Sequence, residues 1–267
     1  MARRFHKMHG LGNDFVIFDA RDAPIDMDAA RARAIADRMT GIGCDQLILL
    51  EPSEAADFKM RIFNADGGEV GACGNAARCV ALLVGGERRI ETGGGVISGS
   101  AAGGEASVDM GEPRFGWDEI PLAYPLDTSA LPVGWEALQS PFAVNVGNPH
   151  VVFFVEDAGA VDLARLGPEI EHDPLFPERI NVNVAQMEDG AIRLRVWERG
   201  AGLTRACGTG ACAAAVAAIS RKLATSPVEV RLPGGRLGIE WRAGGSIRMT
   251  GAASHVFTGE LELEAFG

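Results

Sequence analysis

Lysine is nearly absent: only Lys7, Lys59 and Lys222 occur among 267 residues, and none sits at a catalytic motif. A pyridoxal enzyme needs a Schiff-base lysine, so that chemistry is excluded. Basic charge as a whole is short, with 25 Lys and Arg against 36 Asp and Glu and a formal net charge of −11. Nucleic acid and anionic membrane surfaces, which call for a basic patch, are therefore not expected partners. No apolar run approaches the ~20 residues of a spanning helix. The start, Met1-Ala2-Arg3-Arg4-Phe5-His6-Lys7, is basic but no apolar signal core follows, which makes a cytosolic protein the expectation. Five cysteines, Cys44, Cys73, Cys79, Cys207 and Cys212, are an odd number and too few for a disulfide scaffold. Cys73 and Cys79, like Cys207 and Cys212, are also spaced unlike the short pairs of structural zinc, so no metal is expected. Glycines at 10, 12, 41 and 43 never form a dinucleotide-binding G-x-G-x-x-G opening a helix. What remains is thiol chemistry in a reducing compartment.

The chain does contain a message written twice. Ala72-Cys73-Gly74-Asn75-Ala76-Ala77 and Ala206-Cys207-Gly208-Thr209-Gly210-Ala211 lie 134 positions apart, each setting a cysteine before a glycine and a small polar residue. Upstream, the strand-like stretches Lys59–Asn64 and Arg193–Glu198 hold the same offset, and both run into glycine turns. Gly12-Asn13-Asp14-Phe15 pairs with Gly147-Asn148-Pro149-His150, and Gln46–Leu49 with Asn181–Val184, at an offset of 135. Downstream, Ile90–Gly94 parallels Val230–Gly234 and Asp109-Met110-Gly111 parallels Arg248-Met249-Thr250-Gly251, at about 140. Order and spacing together imply an internal duplication. The length suits two ordinary domains, expected at 1–118, with a final strand at 255–267 returning to it, and at 119–254. A proline-rich linker is expected over Trp117–Pro141.

The pattern is mixed α/β. Strands are expected near Arg3–Met8, Phe15–Asp19, Gln46–Glu51, Phe58–Asn64, Arg88–Thr92 and Glu105–Met110, with counterparts in the second copy. Helices are expected at Met27–Met39, Leu163–Glu169, Asn75–Val84 and Thr209–Leu223. The last two are apolar on nearly every side, which marks helices buried within sheet. Their first turns offer unpaired N–H groups and the positive dipole end. An anion such as a carboxylate can dock there, and a thiol beside it is expected to be lowered toward thiolate. Two such mouths converging would place a thiol on either side of one carbon and stabilise the charge that deprotonation develops. A lone cysteine on an apolar helix usually only packs, the reading for Cys79 and Cys212. Matched positions beside glycine set Cys73 and Cys207 apart.

Arg61-Ile62-Phe63-Asn64-Ala65-Asp66-Gly67, Cys73-Gly74-Asn75, Gly147-Asn148-Pro149-His150, Trp197-Glu198-Arg199-Gly200 and Ala206-Cys207-Gly208-Thr209-Gly210 closely resemble the diaminopimelate epimerases. That resemblance implies an isomerase that interconverts LL- and meso-diaminopimelate without a cofactor, in lysine and peptidoglycan biosynthesis. It implies an α/β (α+β) fold of two pseudo-symmetric domains, each a barrel-like, mostly antiparallel sheet around a central helix, and a homodimer. Carried over by motif, Cys73 and Cys207 are the acid/base pair, and Gly74, Asn75, Gly208 and Thr209 hold the reacting carboxylate. Asn13, Gln46 and Glu198 lie near the reacting amino group. Asn64, Asn148, Asn181 and Arg199 grip the distal end, and His150 supports the site. A doubly zwitterionic substrate needs an arginine for a carboxylate and oxygens for each ammonium. Taken singly, an asparagine in a glycine turn is ordinary turn chemistry and His150 an ordinary structural histidine. Departures from the family pattern are Ala76 for a glycine, Gly68 for a serine and Leu203 for a glutamate.

The nearest rival is a cofactor-free racemase acting on proline or hydroxyproline, against which Arg199 and the asparagines favour a substrate charged at both ends. A thiol redox protein would need a resolving Cys-x-x-Cys, which is missing. A plain amino-acid-binding module would have no use for two thiols.

Overall fold

The computed structural model describes residues 2–266. The chain divides into two compact units, Met1–Asp109 with Gly251–Gly267, and Met110–Thr250. The first contains β1 (Ala2–Gly10), β2 (Asn13–Asp19), α1 (Ala29–Ala36), β3 (Gln46–Glu51), β4 (Phe58–Asn64), β5 (Glu69–Val70), α2 (Gly74–Val84), β6 (Glu87–Thr92), β7 (Gly95–Ala102) and β8 (Glu105–Asp109). The second opens with a small hairpin, β9 (Gly134–Trp135) and β10 (Leu138–Gln139). It continues through β11 (Phe142–Asn145), β12 (Pro149–Phe154), α3 (Leu163–Glu171), β13 (Asn181–Glu188), β14 (Ala191–Glu198), β15 (Gly202–Thr204), α4 (Gly208–Ser220), β16 (Val228–Leu232) and β17 (Gly235–Glu240). The chain leaves it within β18 (Arg248–Ala252), and β19 (Ser254–Glu262) then pairs antiparallel with β1 in the first unit.

Both sheets use one pairing pattern. In the first unit β1 runs antiparallel to β2, β2 parallel to β3, β3 antiparallel to β4, β4 parallel to β6 and β6 antiparallel to β7. In the second, β11 to β14, β16 and β17 follow the same sequence of directions. Even the register is kept. Phe15 lies opposite Gln46 as His150 lies opposite Asn181, Leu47 opposite Phe63 as Val182 opposite Trp197, and Phe58 opposite Ile90 as Ile192 opposite Val230. A one-residue slip would turn every side chain to the other face, so retained register is retained burial.

In each unit one helix lies against the inside of the sheet and one against the outside. α2 packs on β1, β2, β7, β8 and β19, and α4 on β11 to β14, β16 and β17. α4 is buried without a break from Gly210 to Ala218, and its alanines combine high helix propensity with little bulk. On the opposite face, α1 seals a core of Phe5, Phe18, Ile35, Leu47, Leu49 and Phe63. α3 meets β14 at Gly167, where a Cβ would come within 2.4 Å of the Trp197 ring.

Several expected boundaries move. α1 stops at Ala36 instead of Met39, because the Asp37 carboxylate accepts from the N–H groups of Met39 and Thr40 and turns the chain. α4 ends at Ser220, three residues early. β7 and β17 were not expected; β7 is built largely of Gly, Ser and Ala, which carry little strand signal. The expected linker also serves as core: Ile120, Leu122, Leu131, Trp135 and Leu138 are buried in the second unit, with Trp135 edge-on to Phe153 at 6.0 Å.

Candidate active site

The cysteines do more than precede their helices. Cys73 is the N-cap of α2 and Cys207 the N-cap of α4, both with extended backbone. Each sulfur accepts from the N–H three residues on, Ala76 at 3.5 Å and Gly210 at 3.4 Å. Caps are ordinarily Ser, Thr, Asp or Asn. Sulfur is a weaker acceptor, so these caps are poor for stability and place a reactive atom at the dipole's positive end.

In the first unit Asn13 opens β2, Gln46 opens β3 and Asn64 closes β4. Asn13 Oδ1 accepts from Asn75 Nδ2 at 3.2 Å and lies 4.0 Å from the Cys73 sulfur. Its Nδ2 donates to Asp45 Oδ2 at 2.9 Å, which fixes the direction of the amide. Arg38 bridges Asp14 and Asp45 at 2.7 Å each, and Lys7 Nζ reaches Asp14 Oδ2 at 2.5 Å. Burial alone would raise the Asp14 carboxyl, but the hydrogen bonds from Arg38 and Lys7 outweigh it and hold it well below the usual carboxylate range. Gln46 and Asn64 are cross-strand partners, with Gln46 Nε2 donating to Asn64 Oδ1 at 2.9 Å. Beneath the mouth, Arg78 is fully buried and donates to Asn75 Oδ1 at 2.9 Å.

The second unit surrounds Cys207 differently. Thr209 Oγ1 lies 3.5 Å from the sulfur, and Glu198 is held by Thr204 Oγ1 at 2.5 Å. Burial raises the Glu198 carboxyl, partly offset by hydrogen bonds from Thr204 and Cys207. The expected lowering at a helix mouth does not occur for Cys207. Burial, reinforced by the Glu198 charge, pushes this thiol well above its ordinary value, outweighing the hydrogen bonds from Thr209 and Gly210. Desolvation disfavours the thiolate more than the helix end favours it, so Cys207 rests as a thiol and can donate a proton.

His150 is fully buried between two asparagines, with Nε2 2.8 Å from Asn148 Oδ1 and Nδ1 3.0 Å from Asn183 Nδ2. Burial, helped by the nearby Arg199 charge, pushes it down to about 3, so the ring is neutral. Asn181 is buried, and both ends of its amide engage backbone: Nδ2 donates to Pro149 O at 2.7 Å and Oδ1 accepts from Arg199 N at 2.9 Å. Arg199 itself is exposed and donates to Glu178 O at 3.0 Å.

Of the expected residues, Asn13 and Asn75 meet at the Cys73 mouth and Glu198 and Thr209 stand beside Cys207, while Gln46 with Asn64, and Asn148 with His150 and Asn181 with Arg199, form hydrogen-bonded groups of their own within the same units. Sequence reasoning missed Asp45, Arg78, Thr204, Asn183 and Glu171. Glu171, at the end of α3, accepts from Trp197 Nε1 at 2.8 Å and Gly200 N at 2.9 Å and so sets the turn that carries Arg199. The alternation Asn181-Val182-Asn183 was the one available signal for Asn183, since both asparagines share a face of β13. Among the described residues no group of three or more His, Cys, Asp or Glu is placed to hold a metal. No helix among them is long and apolar enough to cross a membrane.

The sequence model of the diaminopimelate epimerase family matches residues 5–116 and 142–256. The chain is 68% identical to a diaminopimelate epimerase of Rhizorhabdus wittichii, spanning all of this chain and 98% of that protein. It is 64% identical to one of Sphingopyxis alaskensis, with both chains fully covered. Among solved structures, a PhzF-family protein of Enterococcus faecalis matches with a TM-score of 0.72 at 14% identity, covering 98% of this chain and all of that one. A hydroxyproline epimerase from Agrobacterium vitis matches with 0.70 at 15%, covering 97% and 92%. At those identities the likeness carries the fold alone.

Proposed function

We propose that this chain, which belongs to the diaminopimelate epimerase family, interconverts LL- and meso-diaminopimelate by a two-base transfer between thiols. The observation that carries the reading is the matched pair of sulfur caps, Cys73 on α2 and Cys207 on α4. One cysteine, as thiolate, takes the α-proton and becomes a thiol. The electron pair left on carbon spreads into the α-carboxylate, held by the first turns through Gly74, Asn75, Gly208 and Thr209. The other thiol gives its proton to the opposite face and becomes the thiolate, so the centre is inverted and the charge balance kept. The raised thiol of Cys207 suits it to the donor's part in the resting enzyme.

Asn13, Gln46 and Glu198 serve the reacting ammonium. Asn64, Asn148 and Arg199 bind the distal end, with Asn181 holding the Arg199 backbone and His150 supporting Asn148. The identities of 64–68% to diaminopimelate epimerases favour this substrate over proline or hydroxyproline. We infer also a cytoplasmic homodimer, in keeping with the acidic composition and with family resemblance.

The test is incubation with diaminopimelate in heavy water, followed by NMR. Deuterium entering the α-position of both stereoisomers is the expected result. Exchange with proline and none with diaminopimelate would overturn the substrate, and exchange with neither would overturn the reaction.

A further inference from the structure

The duplicated framework contains its own control for the buried pair His150 and Asn183. Their counterparts by register in the first unit are Phe15 and Ile48, both fully buried. The same strands therefore pack with apolar side chains at these two places, and the polar pair is not needed to form the sheet. Burying an imidazole and an amide costs free energy unless both are hydrogen-bonded. Here the accounting is incomplete, because Asn183 Oδ1 has no hydrogen-bond partner among the described residues.

The direction of the Asn183 amide is nevertheless fixed. Its Nδ2 donates to Val151 O at 2.9 Å, and a carbonyl oxygen can only accept. That nitrogen also faces His150 Nδ1 at 3.0 Å, so Nδ1 is the acceptor and the ring proton sits on Nε2. Nε2–H then donates to Asn148 Oδ1 at 2.8 Å. With its oxygen turned to the ring, half-buried Asn148 keeps both donors of its NH2 group to offer. An NH2 group suits a carboxylate; a carbonyl in its place would repel one.

We propose that Asn183 is a positioning residue that sets the tautomer of His150 and, through it, turns the donor side of Asn148 toward a substrate carboxylate. The proposal rests on the reading above of Asn148 as a distal-end ligand. It adds a residue that touches no substrate and a reason for the buried histidine to remain neutral.

The decisive variant is Asn183→Asp, nearly the same in shape. The new side chain has at most one proton, which the Val151 carbonyl claims, so the oxygen that takes the place of Nδ2 meets Nδ1 with a lone pair, as an acceptor, and draws the ring proton there. Nε2 then accepts, and Asn148 must reverse its amide. Nitrogen-15 NMR of histidine-labelled protein should show Nε2–H in the wild type and a proton on Nδ1 in the variant. KM for diaminopimelate should rise tenfold or more while kcat falls by less. A wild-type ring protonated on Nδ1, or a variant that keeps Nε2–H alone, would overturn the assignment. If the acidic variant does not fold, Asn183→Ile, which copies the first unit, should fold and show the same rise in KM; a KM within twofold of wild type would again overturn it. The NMR measurement needs no substrate, so a wild type inactive on diaminopimelate would count against the functional reading and leave the tautomer assignment to be decided separately.

Discussion

The mouth of α2 and the mouth of α4 share a backbone and differ in what surrounds the sulfur. Both cysteines cap their helices, and both accept from the N–H three residues on. Around half-buried Cys73 stand amides, with the Arg78 guanidinium behind Asn75. Around buried Cys207 stand a hydroxyl and the Glu198 carboxyl, and the thiol is pushed up. The divergence continues outward. Arg61 makes a two-pronged pair with Glu69 at 3.0 and 2.9 Å, whereas its counterpart Arg195, which has Leu203 in place of that glutamate, donates to the carbonyls of Ala158 and Val161. The two sulfurs keep matching positions in their units, while burial and the Glu198 charge keep Cys207 a thiol. A transfer between two thiols needs one acid and one base at the same moment, and in the proposed reaction Cys207 supplies the acid.

The largest effect expected from breaking the comparison is on turnover. Cys73→Ala and Cys207→Ala should each lower kcat in both directions by about a thousandfold or more, at the upper end of what one positioned acid or base supplies. Near-normal turnover by either variant would mean that the two caps are not partners in one reaction.

Next in size is a pH effect confined to the second unit. His150 stays neutral in the folded chain down to about 3, while in the unfolded chain it takes a proton below 6.5. Its contribution is therefore present above the unfolded value and is lost as pH falls. Phe15, at the matching place, has no such dependence. Between pH 7 and 5 wild type should lose about 2 kcal/mol relative to His150→Phe, the linkage expected of one histidine that cannot charge when folded. Urea unfolding at both pH values measures it, and two curves that move in parallel would show that the ring is not held neutral.

Much of this was legible beforehand, for reasons that differ by residue. The buried helices showed as apolar runs opening on Cys-Gly, and the duplication as offsets near 135 that reappear as strand register. Hydrogen-bond partners were not legible when they came from distant elements: Asp45 beneath Asn13, Glu171 behind Trp197, Asn183 beneath His150. Polar patterning shows which face a residue takes and leaves its partner undetermined. The thiol of Cys207 was misjudged because a sequence displays the helix end and conceals the depth of burial, and burial is the stronger term here.

The smallest expected effect concerns Ala76 and Gly210, the third helical residues of α2 and α4. A Cβ on Gly210 would lie 2.7 Å from Asn183 Oδ1 and 3.0 Å from Val196 Cγ2. Asn183 cannot yield easily, being tied to Val151 O and His150. Gly210→Ala should therefore lose about 1–3 kcal/mol to overpacking, less the several tenths that alanine returns to a helix. At the counterpart position Ala76 is already buried, with Ile48 standing where Asn183 stands in the second unit. Ala76→Gly copies Gly210 of the second unit and should cost only about 0.5–1 kcal/mol, the backbone freedom that glycine surrenders on folding. Urea midpoints for the two variants would rank them. If Gly210→Ala proved as stable as wild type, Asn183 would have room to move, and the fixed amide from which the His150 tautomer was deduced would lose its support.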